Sequence, residues 1–173
     1  TALNQAINIV CTTDASVAQA TTIDNATNSG SNTYNILDSD GNIATGGNTI
    51  LATAGTVTVT GTSTVANAST IADFAKAVVY NISDSSGNAL GAAGAAYNEA
   101  VNIEITGNIT FAKADIIKEA GNSGTKTYNI VDSAAAIAAG IGADVATING
   151  ATVLEADTAA NKAEANTIGG INK

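Results

Sequence analysis

The run Asp38-Ser39-Asp40-Gly41-Asn42 places oxygen donors at alternate positions and a glycine where a sharp turn would need one. Calcium loops use this chemistry, because a hard cation takes several oxygen ligands at about 2.4 Å. Asp38, Asp40 and Asn42 are therefore the candidate metal ligands, and calcium is the cofactor they would take. A complete EF-hand loop would carry Glu at its twelfth position, where Thr49 stands. The equivalent stretches 84–88 and 132–136 lose further ligands. The competing reading is an Asp that caps a turn or a helix start.

Other residue types narrow the chemistry further. Asp38, Asp84 and Asp132 recur and could in principle pair for glycoside hydrolysis. No aromatic sugar platform or distinct pocket signal accompanies them, so capping within a repeat is the preferred reading. Cys11 aligns with Val59 and Ile105, an inward strand position where a free cysteine acts as a small hydrophobe. The chain has no His, which removes the usual base for a nucleophile and any imidazole metal ligand. Asn67-Ala68-Ser69 and similar triplets match the N-glycosylation acceptor, as any Asn- and Thr-rich chain would.

Composition sets the frame for these residues. Of 173 residues, 45% are hydrophobic but only 3% aromatic, so Ala, Val and Ile must supply most of the core. Six Lys and Arg stand against fifteen Asp and Glu, a net charge of −9. That balance excludes a basic nucleic-acid footprint. One Cys excludes an internal disulfide framework and a thiolate zinc cluster. No apolar run reaches the length of about 18 residues needed for a membrane span. Low charge and positive mean hydropathy argue for order.

That order is built by repetition. Tyr34-Asn35-Ile36-Leu37-Asp38-Ser39 returns at Tyr80 and Tyr128, 46 and 48 residues on. A second motif, Val17-Ala18-Gln19-Ala20-Thr21-Thr22-Ile23, returns at Val65 and Phe111 and more faintly at Lys162. Alternating residues such as Val57-Thr58-Val59-Thr60 predict strands with one buried face. The Val-Ala-x-Ala-x-x-Ile blocks suit short helices capped by Ser16, Thr64 or Thr110. Ser133 and the Ala-rich run to Gly140 predict another helix with a Gly stop. Each unit thus reads strand, short helix, strand, short helix, in two coils of roughly 23 residues, the coil length of leucine-rich repeats. The absence of Pro suits central parallel strands, which need every backbone N–H.

The runs Thr56 to Ala66 and Tyr128 to Ala138 resemble the Thr/Ala/Asn-rich solenoid repeats of large bacterial surface proteins: adhesins, surface-layer proteins and calcium-dependent secreted proteins. The likeness spans roughly residues 7 to 168. Asp84-Ser85-Ser86-Gly87-Asn88 departs from it, replacing an Ala-rich helix start with a turn.

The expectations are these. The fold is a repeat solenoid of parallel strands and short helices or turns, with a parallel β-helix as alternative. One domain spans 1–173, with units near 7–54, 55–100 and 101–150 and a partial unit at 151–173. Asn35, Asn81 and Asn129 form an amide ladder or face solvent, and Tyr34, Tyr80 and Tyr128 pack coil on coil with hydroxyls at the rim or form a carbohydrate-binding stripe. A start at Thr1 predicts a processed or excised chain, and open strand edges at both ends predict head-to-tail self-association. The function class is then a structural, non-enzymatic protein at the bacterial cell surface or outside it: a filament, surface-layer or adhesin-stalk subunit. The alternative is a module that binds glycan, ice or a host surface. Expected partners are other copies of the chain and surface glycans, with no nucleic acid and no membrane span.

Overall fold

A computed structural model describes residues 1–88 and 94–171. Residues 89–93 of the expected second unit and 172–173 of the partial fourth lie outside it. The first half of the chain runs α1 (Ala2–Gln5), β1 (Ile9–Val10), α2 (Val17–Asp24), β2 (Asn32–Thr33), β3 (Ile36–Asp38), α3 (Asp40–Thr53), β4 (Val57–Val59) and α4 (Val65–Ala72). The second half runs β5 (Ile82–Ser85), α5 (Gly94–Glu99), β6 (Ile103–Ile109), α6 (Phe111–Lys118), β7 (Lys126–Asp132), α7 (Ala134–Ala143), α8 (Val145–Gly150), β8 (Val153–Ala156) and α9 (Lys162–Gly169).

Local sequence explains most of these elements. Val57 and Val59 are buried while Thr58 between them is half-exposed, the alternation of a strand with one face on the core. Ile103 and Ile105 repeat it in β6. Helices α2, α4 and α6 bury Ala20 with Ile23, Ala68 with Ile71, and Ala114 with Ile117, each pair three residues apart on one helix face. Ser16, Thr64 and Ser133 cap their helices through side-chain bonds from the N–H groups of Gln19, Asn67 and Ala136. Thr110 sits at the N-cap of α6 without a side-chain bond. Helix α7 continues past Gly140 to Ala143, so that glycine does not end it. Its missing side chain makes room for the Phe111 ring instead.

All strand pairs are parallel, and partners lie 21 to 24 residues apart in sequence, as in Ile36 with Val57 and Asn129 with Val153. The core joins Ile36, Ile82 and Ile130 to the Tyr side chains at 34, 80, 97 and 128, all nearly inaccessible to solvent. Close approach is achieved with glycine: a Cβ on Gly124 would overlap the carbonyl oxygen of Val101.

The expected repeat solenoid, and its parallel β-helix alternative, are corrected by this arrangement. The protein is a compact α/β fold with nine helices among the described residues, a four-stranded parallel sheet and two separate two-stranded sheets. The four-stranded sheet runs β5-β6-β7-β8, apart from β1-β2 and β3-β4. Among the described residues, only isolated bridges, Ala15 to Ile36, Thr58 to Val79 and Ser63 to Ile82, lie outside the named strand pairs. The physical reason is uneven element length. Strands vary from two to seven residues, and helices from four to the fourteen of α3, which kinks at Gly47 (φ 71°). Equal motifs in sequence thus do not give equal elements. Among the described residues, no helix is long and apolar enough to cross a membrane.

Candidate functional site

Asp38 ends β3, and its carboxylate reaches back to the helix that precedes it in the chain. Oδ2 accepts the backbone N–H of Val17, the first residue of α2, at 2.9 Å. Oδ1 accepts the N–H of Ser39 and the side-chain amide of Asn42, both at 2.8 Å. Asp84 repeats the arrangement with Val65, Ser85 and Asn88. Asp132 repeats its backbone part with Phe111 and Ser133. In each case a carboxylate at or next to the end of a strand satisfies an orphan N–H in the first turn of a helix, where negative charge is favoured.

Asp40 points elsewhere. Its Oδ2 accepts the Asn67 side-chain amide at 2.8 Å and the Thr64 N–H at 3.1 Å, joining α3 to the start of α4. For Asp38, burial opposes ionisation, but bonds from Asn42, Val17 and Ser39 outweigh it and hold the carboxyl below the ordinary range. Burial is likewise outweighed at Asp84 by Asn88, Val65 and Ser85, and at Asp40 chiefly by Asn67 and the Thr64 N–H.

The predicted calcium ligands are therefore only partly brought together. Asp38 and Asn42 bond to each other, whereas Asp40 is engaged by residues 24 and 27 positions further on. The N–H donors already occupying both carboxylates leave no converging oxygen set, so these residues do not fit a calcium ion. Among the described residues, no group of three His, Cys, Asp or Glu side chains is placed to hold a metal.

The tyrosines differ from the expected rim or sugar-binding stripe. Tyr34, Tyr80 and Tyr128 are each 1% exposed. The Tyr80 hydroxyl donates to the Ala96 carbonyl at 2.8 Å and that of Tyr128 to the Thr147 carbonyl at 3.0 Å. Tyr34 meets Thr53 and the Ile50 carbonyl in the same way. Burial pushes Tyr128 up to about 12, with Asp144 and Asp115 adding to the effect. The outward asparagines join neighbouring segments: Asn35 Oδ1 accepts the Thr56 N–H, and Asn102 donates its amide to Asn81 Oδ1. Cys11 follows β1, half-buried against the core, in an open cleft of about 320 Å³ that also holds Leu3, Asp14 and Gln19.

Sequence reading missed two equivalent surface clefts. The first, about 490 Å³, lies between α2 and α3 and is lined by Ser16, Val17, Ala18, Thr21, Asp38 and Asn42 among others. The second, about 440 Å³, is lined by Thr64, Val65, Ala66, Ser69, Asp84 and Asn88, the same positions one repeat later. Each needs both motifs at once. The signal that could have found them is the near-constant interval from Val17 to Asp38 and from Val65 to Asp84. At the third equivalent place Phe111 replaces the valine and Ala136 the asparagine. The Phe111 ring lies against Gly140, where a Cβ would stand 2.6 Å from it.

No family model, no curated protein and no solved structure matches this chain.

Proposed function

We propose that this chain is a structural, self-associating protein whose copies add head to tail through the outer edges of β1 and β8. The carrying observation is that each of these strands has one partner only, β2 and β7 respectively, among the described residues. Ile9 and Cys11 donate their N–H groups to the carbonyls of Ser31, just before β2, and of Thr33 within it. The N–H of Val10 between them consequently faces the open edge. In β8, Thr152 donates back to Tyr128, and Val153 next to it alternates outward. Ile7, Val10 and Val153 are 73%, 66% and 44% exposed beside those edges, and α9 buries no residue. An open parallel edge is a template for another strand, and a heterologous contact of this kind builds a fibre rather than a closed ring. A filament, surface-layer or adhesin-stalk role at the cell surface is the setting this reading favours, on the resemblance of its repeats.

Light scattering coupled to gel filtration, followed by negative-stain microscopy, tests the proposal. The intact chain is expected to form concentration-dependent polymers. Val10→Pro, which removes the outward N–H without touching the bonds to β2, and Val10→Lys, which charges the edge, are expected to give folded monomers. An intact chain that stays monomeric at high concentration, or folded variants that still polymerise, overturns it.

A further inference from the structure

We infer that the two equivalent clefts, at Asp38 and at Asp84, are successive subsites for one linear, neutral oligosaccharide. Each cleft combines a carboxylate, a primary amide and a hydroxyl over a floor of small apolar groups. These are Asp38, Asn42 and Thr21 over Val17 and Ala18, and Asp84, Asn88 and Ser69 over Val65 and Ala66. Binding sites for small molecules typically have this make-up, a mainly apolar lining with a few placed polar groups, in volumes of about 300–1,000 Å³. A pyranose ring is the matching shape, apolar C–H groups on its faces and hydroxyls around its rim.

The hydrogen-bond count leaves room for such a ligand. An ionised carboxylate offers about four acceptor sites. Asp38 uses three, for Val17, Ser39 and Asn42, and Asp84 uses three, for Val65, Ser85 and Asn88. In both, Oδ1 takes two bonds and Oδ2 one, so the remaining site is on the same oxygen. A sugar hydroxyl is a donor that can fill it. The carboxylates and the net charge of −9 disfavour anionic glycans and phosphates.

The spacing points to a polymer rather than two separate small molecules. Asp38 stands on β3 and Asp84 on β5; β4 pairs with β3, and isolated bridges join the β4 region to that of β5. Two strand steps amount to roughly 9.5 Å, about the length of one disaccharide unit of an extended chain. Phe111 and Ala136 remove the valine and the amide at the third position, so the run holds two subsites.

The probe is cellohexaose, compared with cellobiose, by backbone-amide NMR titration on dilute protein. Cellohexaose is expected to shift the amides of Thr21, Asn42, Ser69 and Asn88 together, and to bind at least about tenfold more tightly than cellobiose, because engaging the second subsite is intramolecular. Ala18→Lys and Ala66→Lys obstruct one cleft each at exposed helix positions outside the hydrogen-bond network. Each is expected to reduce cellohexaose to the cellobiose affinity, and the double variant to abolish binding. Chitohexaose serves as a second neutral probe. No shift with either hexamer, shifts confined to other surfaces, or affinity unchanged in the folded variants overturns the inference. None of these outcomes depends on self-association, which is read separately at the β1 and β8 edges.

Discussion

The Oδ2 atom of Asp84 lies 2.9 Å from the backbone nitrogen of Val65, 19 residues earlier, and so completes the first turn of α4 from a different strand. Thr64 caps the same turn from inside the helix, accepting the Asn67 N–H at 3.3 Å. Two caps of different origin therefore serve one helix, and they are separable by mutation. Asp84→Ala is expected to lose about 1–2 kcal/mol of stability, because a helix N–H is left without its charged acceptor. Urea unfolding followed by far-UV circular dichroism measures it. A loss within error of zero would mean that solvent replaces the carboxylate at no cost.

The same carboxylates make stability depend on acid pH. Asp38, Asp40 and Asp84 have an ordinary value of 3.8 and are held below it in the folded protein. The unfolded chain thus binds more protons in this range. Their stabilising contribution is complete above the unfolded value and is lost as pH falls through the lower folded values. Thermal unfolding is expected to be level from pH 7 to about 5 and to fall below about 4. Asp38→Asn should flatten that decline; an unchanged acid slope would remove this carboxylate from the account.

Alkaline behaviour has the opposite sign. Burial raises Tyr80, and it pushes Tyr97 and Tyr128 up to about 12, against an ordinary 10.0. A phenol whose folded value is raised contributes stability below the unfolded value, and that stability is lost as pH rises from about 10 toward the folded value. Ultraviolet titration of native protein should show these three phenolates only with unfolding. Tyr128→Phe, which removes the hydrogen bond to the Thr147 carbonyl, is expected to cost about 1 kcal/mol.

Two glycine substitutions should move stability in opposite directions. Gly124→Ala places a Cβ against the Val101 carbonyl, and the required backbone shift is expected to cost about 3 kcal/mol or prevent folding. Gly142 lies in α7 with open space around it. Gly142→Ala should stabilise by about 0.5–1 kcal/mol through helix propensity. Denaturation midpoints of the two variants settle both directions.

A calcium chelator is expected to leave the melting temperature unchanged, since backbone N–H groups and asparagine amides already occupy Asp38 and Asp40. A bound cation would stabilise by mass action, so a drop on chelation would restore the metal reading.

What could be read from the sequence was what depends on a few neighbouring residues. The caps Ser16, Thr64 and Ser133, the alternation at Val57 and Val59 and the apolar spacing of Ala68 and Ile71 are all local. Sheet continuity was not legible, because it depends on how many residues each strand keeps paired. Tyr34-Asn35 separates β2 from β3, which pair in opposite directions along the chain, and no propensity marks that change of partner. The candidate site failed for a related reason. The spacing of Asp38, Asp40 and Asn42 suggested one loop around one ion, whereas Asp38 serves a helix before it and Asp40 one after it. The recurrence of Asp38 and Asp84 was visible, but the cleft needs the partner motif from the preceding segment, and repetition alone does not say which segments touch.

The backward reach of Asp38, Asp84 and Asp132 has a consequence for the order in which the chain takes shape. During synthesis from the N-terminus, α2 emerges before the carboxylate that finishes it, and α4 and α6 wait similarly for β5 and β7. Each helix stays marginal on its own, being only eight residues long. It becomes secure when about twenty more residues have followed. Structure should accordingly advance along the nascent chain in short steps, each segment locking the one before it.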